Sequence, residues 1–328
     1  MKNPGALTVI ALILTCCPVV ALRAQPAAVQ QLQNAPQTQQ QNAFSSLVSS
    51  PTAPELYPGE NSDIGPQRIL RMTPRPTPWE LYLDSQYFYT SNATFSANQK
   101  FGSAVFVNTI QLSYSPGPYK LGSGTLAPSA GISSQWYTYG RKSLAPFSFD
   151  AQTGFLNAKY NLGTHWQVFG GVNYTRLLNP DYKETYREFL PNLGGQYLFS
   201  IRNNLILIVS DEIAYHSTYV PPVFGGSPSI NNRWDETVNL AVAWQLTDHL
   251  IAQPYYRFQY SYYRTDTLQT SHRSDYLQTT GLTMAYYFNK AASARVFFNY
   301  NSKKSSDTFV ADYQEADGGL GVSLDVKF

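Results

Sequence analysis

Cysteine is nearly absent from this 328-residue chain: there are two, Cys16 and Cys17, both inside the first 24 positions. If that segment is removed, a disulfide framework, a thiolate zinc site and a cysteine nucleophile are all excluded together. Charge is scarce as well. Charged residues make up 13% of the chain, against about 25% in ordinary soluble domains, so a water-facing surface would be hard to keep dispersed. An excess of basic residues is also missing. With Lys2 and Arg23 taken from the 23 basic residues, 21 face 21 acidic ones, and no basic surface remains for nucleic acid. After the N-terminal region no apolar run is long enough for a transmembrane helix.

What is abundant is aromatic. There are 25 tyrosines, 18 phenylalanines and five tryptophans, and Tyr and Trp suit a membrane–water boundary because one end of each is apolar and the other polar. Residues 1–24 read as a secretory signal peptide: Lys2 begins it, an apolar run extends from Ala6 to Ala21, and small residues close it at Ala21 or Ala24. An uncleaved anchor is the alternative, although the run is short for a span and lacks a strongly charged flank. Residues 25–78 are rich in Gln, Pro and Ser, without apolar periodicity, and are expected to be a disordered periplasmic segment. Arg68, Arg71 and Arg75 near its end leave two readings, a spacer or a strand-like plug.

From Trp79 the pattern turns to period two, the alternation of a strand with two unlike faces. Twelve strands are predicted, at 79–90, 103–114, 125–139, 147–161, 165–177, 184–201, 204–219, 233–246, 249–264, 272–288, 292–301 and 312–328. Each is long enough to cross a bilayer at a tilt. The connections alternate long and short, with two or three residues at 162–164, 202–203, 247–248 and 289–291, and only 115–124 breaks the rule. Backbone groups in hydrocarbon must be satisfied within the protein, so membrane strands have to close on themselves. The expected fold is all-β: a transmembrane antiparallel up-and-down barrel over 79–328, with short turns on the periplasmic side.

The final segment, LGVSLDVKF, resembles the last strand of bacterial outer-membrane β-barrels, which commonly alternates and ends on an aromatic residue. Val322, Leu324, Val326 and Phe328 occupy those positions. The resemblance implies the outer membrane of a Gram-negative cell, with outer-membrane lipid and the barrel-insertion machinery as partners. A periplasmic partner of residues 25–78 stays open.

By parity the inner wall carries Glu80, Asp84, Lys159, Gln167, Asn173, Asn239, Gln253, Arg257, Gln259, Arg295 and Asp325, with further amides at Gln86, Gln111, Gln135, Asn157, Asn192, Gln196, Gln245 and Asn299. Amides with a few charges of both signs suit a narrow porin-like channel for small polar solutes with weak charge selectivity. Twelve strands lie between the filled interior of eight and the open bore of sixteen, so a non-conducting structural or surface-display barrel is the second reading. The third is a lipid hydrolase. Asp211, Glu212, His216, Ser217 and Thr218 supply the residue types of acyl transfer, but neighbouring strand residues point to opposite faces. Of the other histidines, His165 and His249 sit beside short turns and His272 near the outer end of its strand. Asp266, Asp275, Asp307, Asp312, Glu315 and Asp317 are expected as solvated charge toward the outer loops. No metal or cofactor is expected.

Overall fold

The computed structural model describes residues 77–221, 229–264, 273–307 and 310–328. The expectations for 1–24 and for 25–76, and those for Asp266 and His272, fall outside these residues.

The strands are β1 (Trp79–Thr90), β2 (Ser103–Tyr114), β3 (Tyr119–Leu121), β4 (Gly124–Tyr139), β5 (Phe149–Leu162), β6 (Trp166–Leu178), β7 (Glu184–Arg202), β8 (Leu205–Tyr219), β9 (Arg233–Gln245), β10 (Leu250–Tyr263), β11 (Ser274–Tyr287), β12 (Ala292–Ser305) and β13 (Tyr313–Lys327). Every neighbour pair is antiparallel, β1 pairs with β13, and the β2–β4 pairing completes the ring. The result is a closed barrel of twelve strands with β3 outside the ring. Closure is sealed where the chain ends meet: Trp79 N donates to Phe328 O at 3.1 Å and Phe328 N to Trp79 O at 3.0 Å.

The segment that broke the loop rule, 115–124, contains β3, which folds back on the overhanging start of β4 as a small hairpin. At the opposite rim the predicted strand start at 147 gives way to a 3-10 helix, Lys142–Phe147. β12 runs to Ser305 instead of stopping at 301 because Ser302, Lys303 and Ser305 still find partners across the ladder. In the tight β5–β6 turn Gly163 sits at φ 67°, a backbone region that glycine enters without steric cost.

The outward face is apolar, with aromatic residues at both edges. All five tryptophans lie on it: Trp79, Trp166 and Trp244 at the short-turn rim, Trp136 and Trp234 at the long-loop rim. Trp79 packs on Tyr114 and Trp166 on Tyr197, while Tyr215 packs on Trp234. Between the two edges run Ile110, Ile132, Leu156, Leu193, Leu240, Leu282, Val296 and Leu320, all exposed. On β9 the interval from Trp234 to Trp244 covers about 34 Å of strand at about 3.4 Å per residue. A tilt of about 40° reduces that to about 26 Å, the height of the apolar band of outer-membrane barrels.

Candidate functional site

Cross-strand partners share a face, so the register shows what lies inside. Asp84 sits opposite Thr109 and Ser323, Thr109 opposite Gln135, Gln167 opposite Gln196, Asn239 opposite Arg257, and Arg257 opposite Thr279. Followed around the ring at period two, this face carries Glu80, Asp84, Lys159, Gln167, Asn173, Asn239, Gln253, Arg257, Gln259, Arg295 and Asp325. Asp84, Gln253, Gln259 and Arg295 are buried, and the others are partly exposed.

The interior is graded from one end to the other. Toward the long-loop rim it is packed on all sides. Phe88, Val105, Val107, Tyr137, Tyr139, Phe149, Leu177 and Tyr186 form an apolar cluster that takes in Ala93 from the β1–β2 loop and Leu144 from the 3-10 helix. Tyr137 stacks flat on Phe149, with centroids 4.5 Å apart.

The remaining part of that layer is ionic. His216 places Nδ1 2.6 Å from Glu188 Oε1 and Nε2 2.9 Å from Asp235 Oδ2. Arg233 Nε donates to both oxygens of Asp235 at 3.0 and 3.1 Å, Gln259 Nε2 donates to Asp235 at 2.8 Å, and the Tyr186 hydroxyl donates to Glu188 at 2.8 Å. Nearby, Asp275 accepts from Lys303 Nζ at 2.9 Å, from the Ser305 hydroxyl at 2.6 Å and from Arg273. Glu315 accepts from Thr90 Oγ1 at 2.6 Å, and Asn301 reaches both Glu315 and Asp317. Charges in an interior persist best when paired and hydrogen-bonded: His216, Arg233, Arg273 and Lys303 each meet a carboxylate, whereas Glu315 and Asp317 are held by hydrogen bonds from the neutral Thr90 and Asn301.

One expectation changes. Asp275, Glu315 and Asp317 are not solvated loop charge: all three are buried inside the barrel, because they fall at inward positions of β11 and β13 and β12 runs on to Ser305 beside them. Nor does the chain gather the acyl-transfer set. Asp211 and Ser217 lie on the outward face, Glu212 accepts from Asn192 at 2.9 Å, and the Thr218 hydroxyl donates to Asn232 at 2.9 Å. His216 is held between two carboxylates.

Below this layer, Arg295 and Asp84 form a bidentate pair, Nη1–Oδ1 2.7 Å and Nη2–Oδ2 2.9 Å, each side chain 2% exposed. Gln86 Nε2 and the Tyr82 hydroxyl also donate to Asp84. Tyr255 donates to Asn299 at 2.6 Å and Arg257 to Gln259 at 2.6 Å. Toward the short-turn rim Ile208, Ala241, Ala243 and Tyr255 pack together with Leu198, Ile206 and Ile251 on the β7–β10 side, and the wall loosens on the β4–β6 side. Gln135, Asn157, Lys159, Gln167, Asn173 and Gln196 are each partly exposed there, as are Glu80 and Asp325.

Reasoning from sequence missed Glu188, Arg233, Asp235 and Lys303. The signal was available: each shares the parity of residues already assigned to the inner face, and Arg233 and Asp235 are two apart on one strand.

No protein-family model and no curated protein matches the sequence. Solved structures do match it. An outer membrane channel from Pseudomonas putida F1 aligns over 76% of this chain and 96% of its own at 12% identity, with a TM-score of 0.51. The NanC porin aligns over 74% and 98% at 12% identity with a TM-score of 0.42, and the beta domain of the Bordetella autotransporter BrkA over 74% and 98% at 11% with 0.44. At these identities the likeness is one of fold, and the chain has the fold of the outer-membrane β-barrels.

Proposed function

We propose that this protein resides in the outer membrane as a narrow channel for small polar solutes, open as a wet vestibule toward the periplasm and constricted at its outer half. The observation that carries this reading is the graded interior. A partly exposed wall of amides with Glu80 and Lys159 leads up to a layer of buried side chains contributed by all twelve strands. Amides and balanced charges replace part of the water around a polar solute without strongly favouring either sign of ion. The short-turn rim and both chain ends would face the periplasm, which agrees with a secreted precursor whose residues 1–24 are removed. The terminal alternation of Val322, Leu324, Val326 and Phe328 would serve the insertion machinery, and residues 25–78 would lie on the periplasmic side, within reach of a partner there.

The packed outer layer favours a second reading, a non-conducting structural or display barrel. Single-channel recording in a planar bilayer separates the two, using residues 25–328 beside a form starting at Trp79. Discrete steps that grow when Phe149 and Tyr186 are replaced by Ala establish a constricted channel. Silence in every form establishes the structural barrel. Steps confined to the shorter form would make the N-terminal segment a plug. A hydrolase centred on His216 is tested separately: unchanged lipid turnover by His216→Ala, or none by the parent, removes it.

A further inference from the structure

Charge is sparse on the outward face of the described strands, where Asp150, Asp211, Glu236 and Lys304 stand singly, and one place carries two like charges as a matched pair. Arg176 on β6 and Arg187 on β7 sit directly opposite each other in the ladder, and both point outward and are exposed. Like charges in direct cross-strand register repel, so the arrangement stands out. Each guanidinium is also held in place. Arg176 Nε donates to Gln152 Oε1 at 2.8 Å, and Arg187 lies over the Tyr219 ring at 4.2 Å from its centroid. Among the described residues the ion pair made by either is the long one of Arg187 with the partly exposed Glu184, 3.8 Å apart, and Asp150, on the same face two positions from Gln152, makes no ion pair with Arg176.

Position suggests what resolves the repulsion. One step down each strand, Tyr174 and Phe189 face each other on the same outward surface, both about half exposed, as part of the aromatic edge. Two residues rise about 7 Å along a strand, or about 5 Å in height at a barrel's tilt. The two arginines therefore lie just above the apolar band at the long-loop rim, where lipid headgroups sit. Paired, planar, five-donor guanidinium groups are well matched to a phosphate.

We infer that Arg176 and Arg187 together bind a phosphate group of an anionic glycolipid in the outer leaflet. This site rests on the outer-membrane reading above, and its acyl chains would lie along Tyr174 and Phe189.

The test uses the refolded full-length mature protein in detergent, probed by native mass spectrometry with lipid A bearing two phosphates and with the same lipid dephosphorylated. The expected result is roughly tenfold higher occupancy by the phosphorylated form, lost in Arg176→Gln/Arg187→Gln and retained in Lys304→Gln, which removes another outward basic residue near the same rim. Arg176→Lys/Arg187→Lys keeps the charge and guards against misfolding; it should retain most of the preference. Equal occupancy by the two lipids, or a preference unaffected by the double Gln variant, overturns the site. Displacement of the lipid by millimolar inorganic phosphate would also overturn it as a lipid site, leaving only a general anion site. Failure of the parent to insert into liposomes would instead sink the outer-membrane reading itself, so the two failures are distinct.

Discussion

The Asp84–Arg295 pair is a buried ionic contact that a single change breaks. Truncating Asp84 to Ala leaves a guanidinium buried without its carboxylate, and breaking a buried pair in this way costs about 3–5 kcal/mol. Urea unfolding of the refolded protein should show that loss, while Asp84→Leu combined with Arg295→Met, which removes both charges, should cost clearly less. Glycines give a sharper contrast. A Cβ on Gly281 would lie 2.5 Å from Asn299 Oδ1 and 2.5 Å from the Tyr255 ring, within the Tyr255–Asn299 hydrogen bond. Gly281→Ala is expected to cost about 1–3 kcal/mol by overpacking. Gly154 has nothing within 4 Å of the same position, so Gly154→Ala should be neutral or slightly stabilising, because strand glycine carries an entropic cost. The same unfolding series reads both. Which glycine is crowded was not legible in sequence, since both stand in alternating strands; crowding depends on what the neighbouring strand places opposite.

At the level of elements, period two was enough to place the twelve ring strands, most of them to within two residues at each end. The rim segments were harder to read. The strand expected from Phe147 starts at Phe149 instead, because Phe147 ends a short 3-10 turn, Lys142–Phe147, that contains Pro146 and folds Leu144 into the packed end. β3 escaped notice because three exposed residues show no hydrophobic pattern. Its place outside the ring has a consequence: replacing Tyr119–Leu121 by Gly-Ser-Gly should change stability by less than about 1 kcal/mol, as for other surface substitutions. Proline at Ile110 attacks the β2–β4 seam that closes the ring. It removes a ladder donor, leaves the facing carbonyl unsatisfied and should cost about 1–3 kcal/mol. Heat-modifiable gel migration, which reports the closed barrel, should survive the first change and weaken with the second.

At the scale of the whole molecule, the lower interior should govern what passes. Lys159 and Glu80 are partly exposed charges of opposite sign near the short-turn rim. Lys159→Glu should move the reversal potential in a salt gradient several-fold toward cation preference, with conductance in single steps as before; an unmoved potential would remove Lys159 from the conduction path. Composition, period-two alternation and the long–short rhythm of the connections were sufficient to establish a twelve-strand barrel and its membrane-facing surface. Each follows from local rules: low charge tolerated by lipid, alternate faces along a strand, and tight turns on one side only. Parity likewise separated inner from outer residues, because a strand in a closed ring has no third choice. Parity says nothing about how far an inward side chain reaches or whom it meets across the bore. The pairing of Arg295 with Asp84, 211 positions apart in sequence, the caging of His216 between Glu188 and Asp235, and the close packing of the long-loop half of the interior were decided only by tertiary structure. Ring closure and strand stagger determine which inward groups share a level, and buried charges can persist only where that level supplies partners.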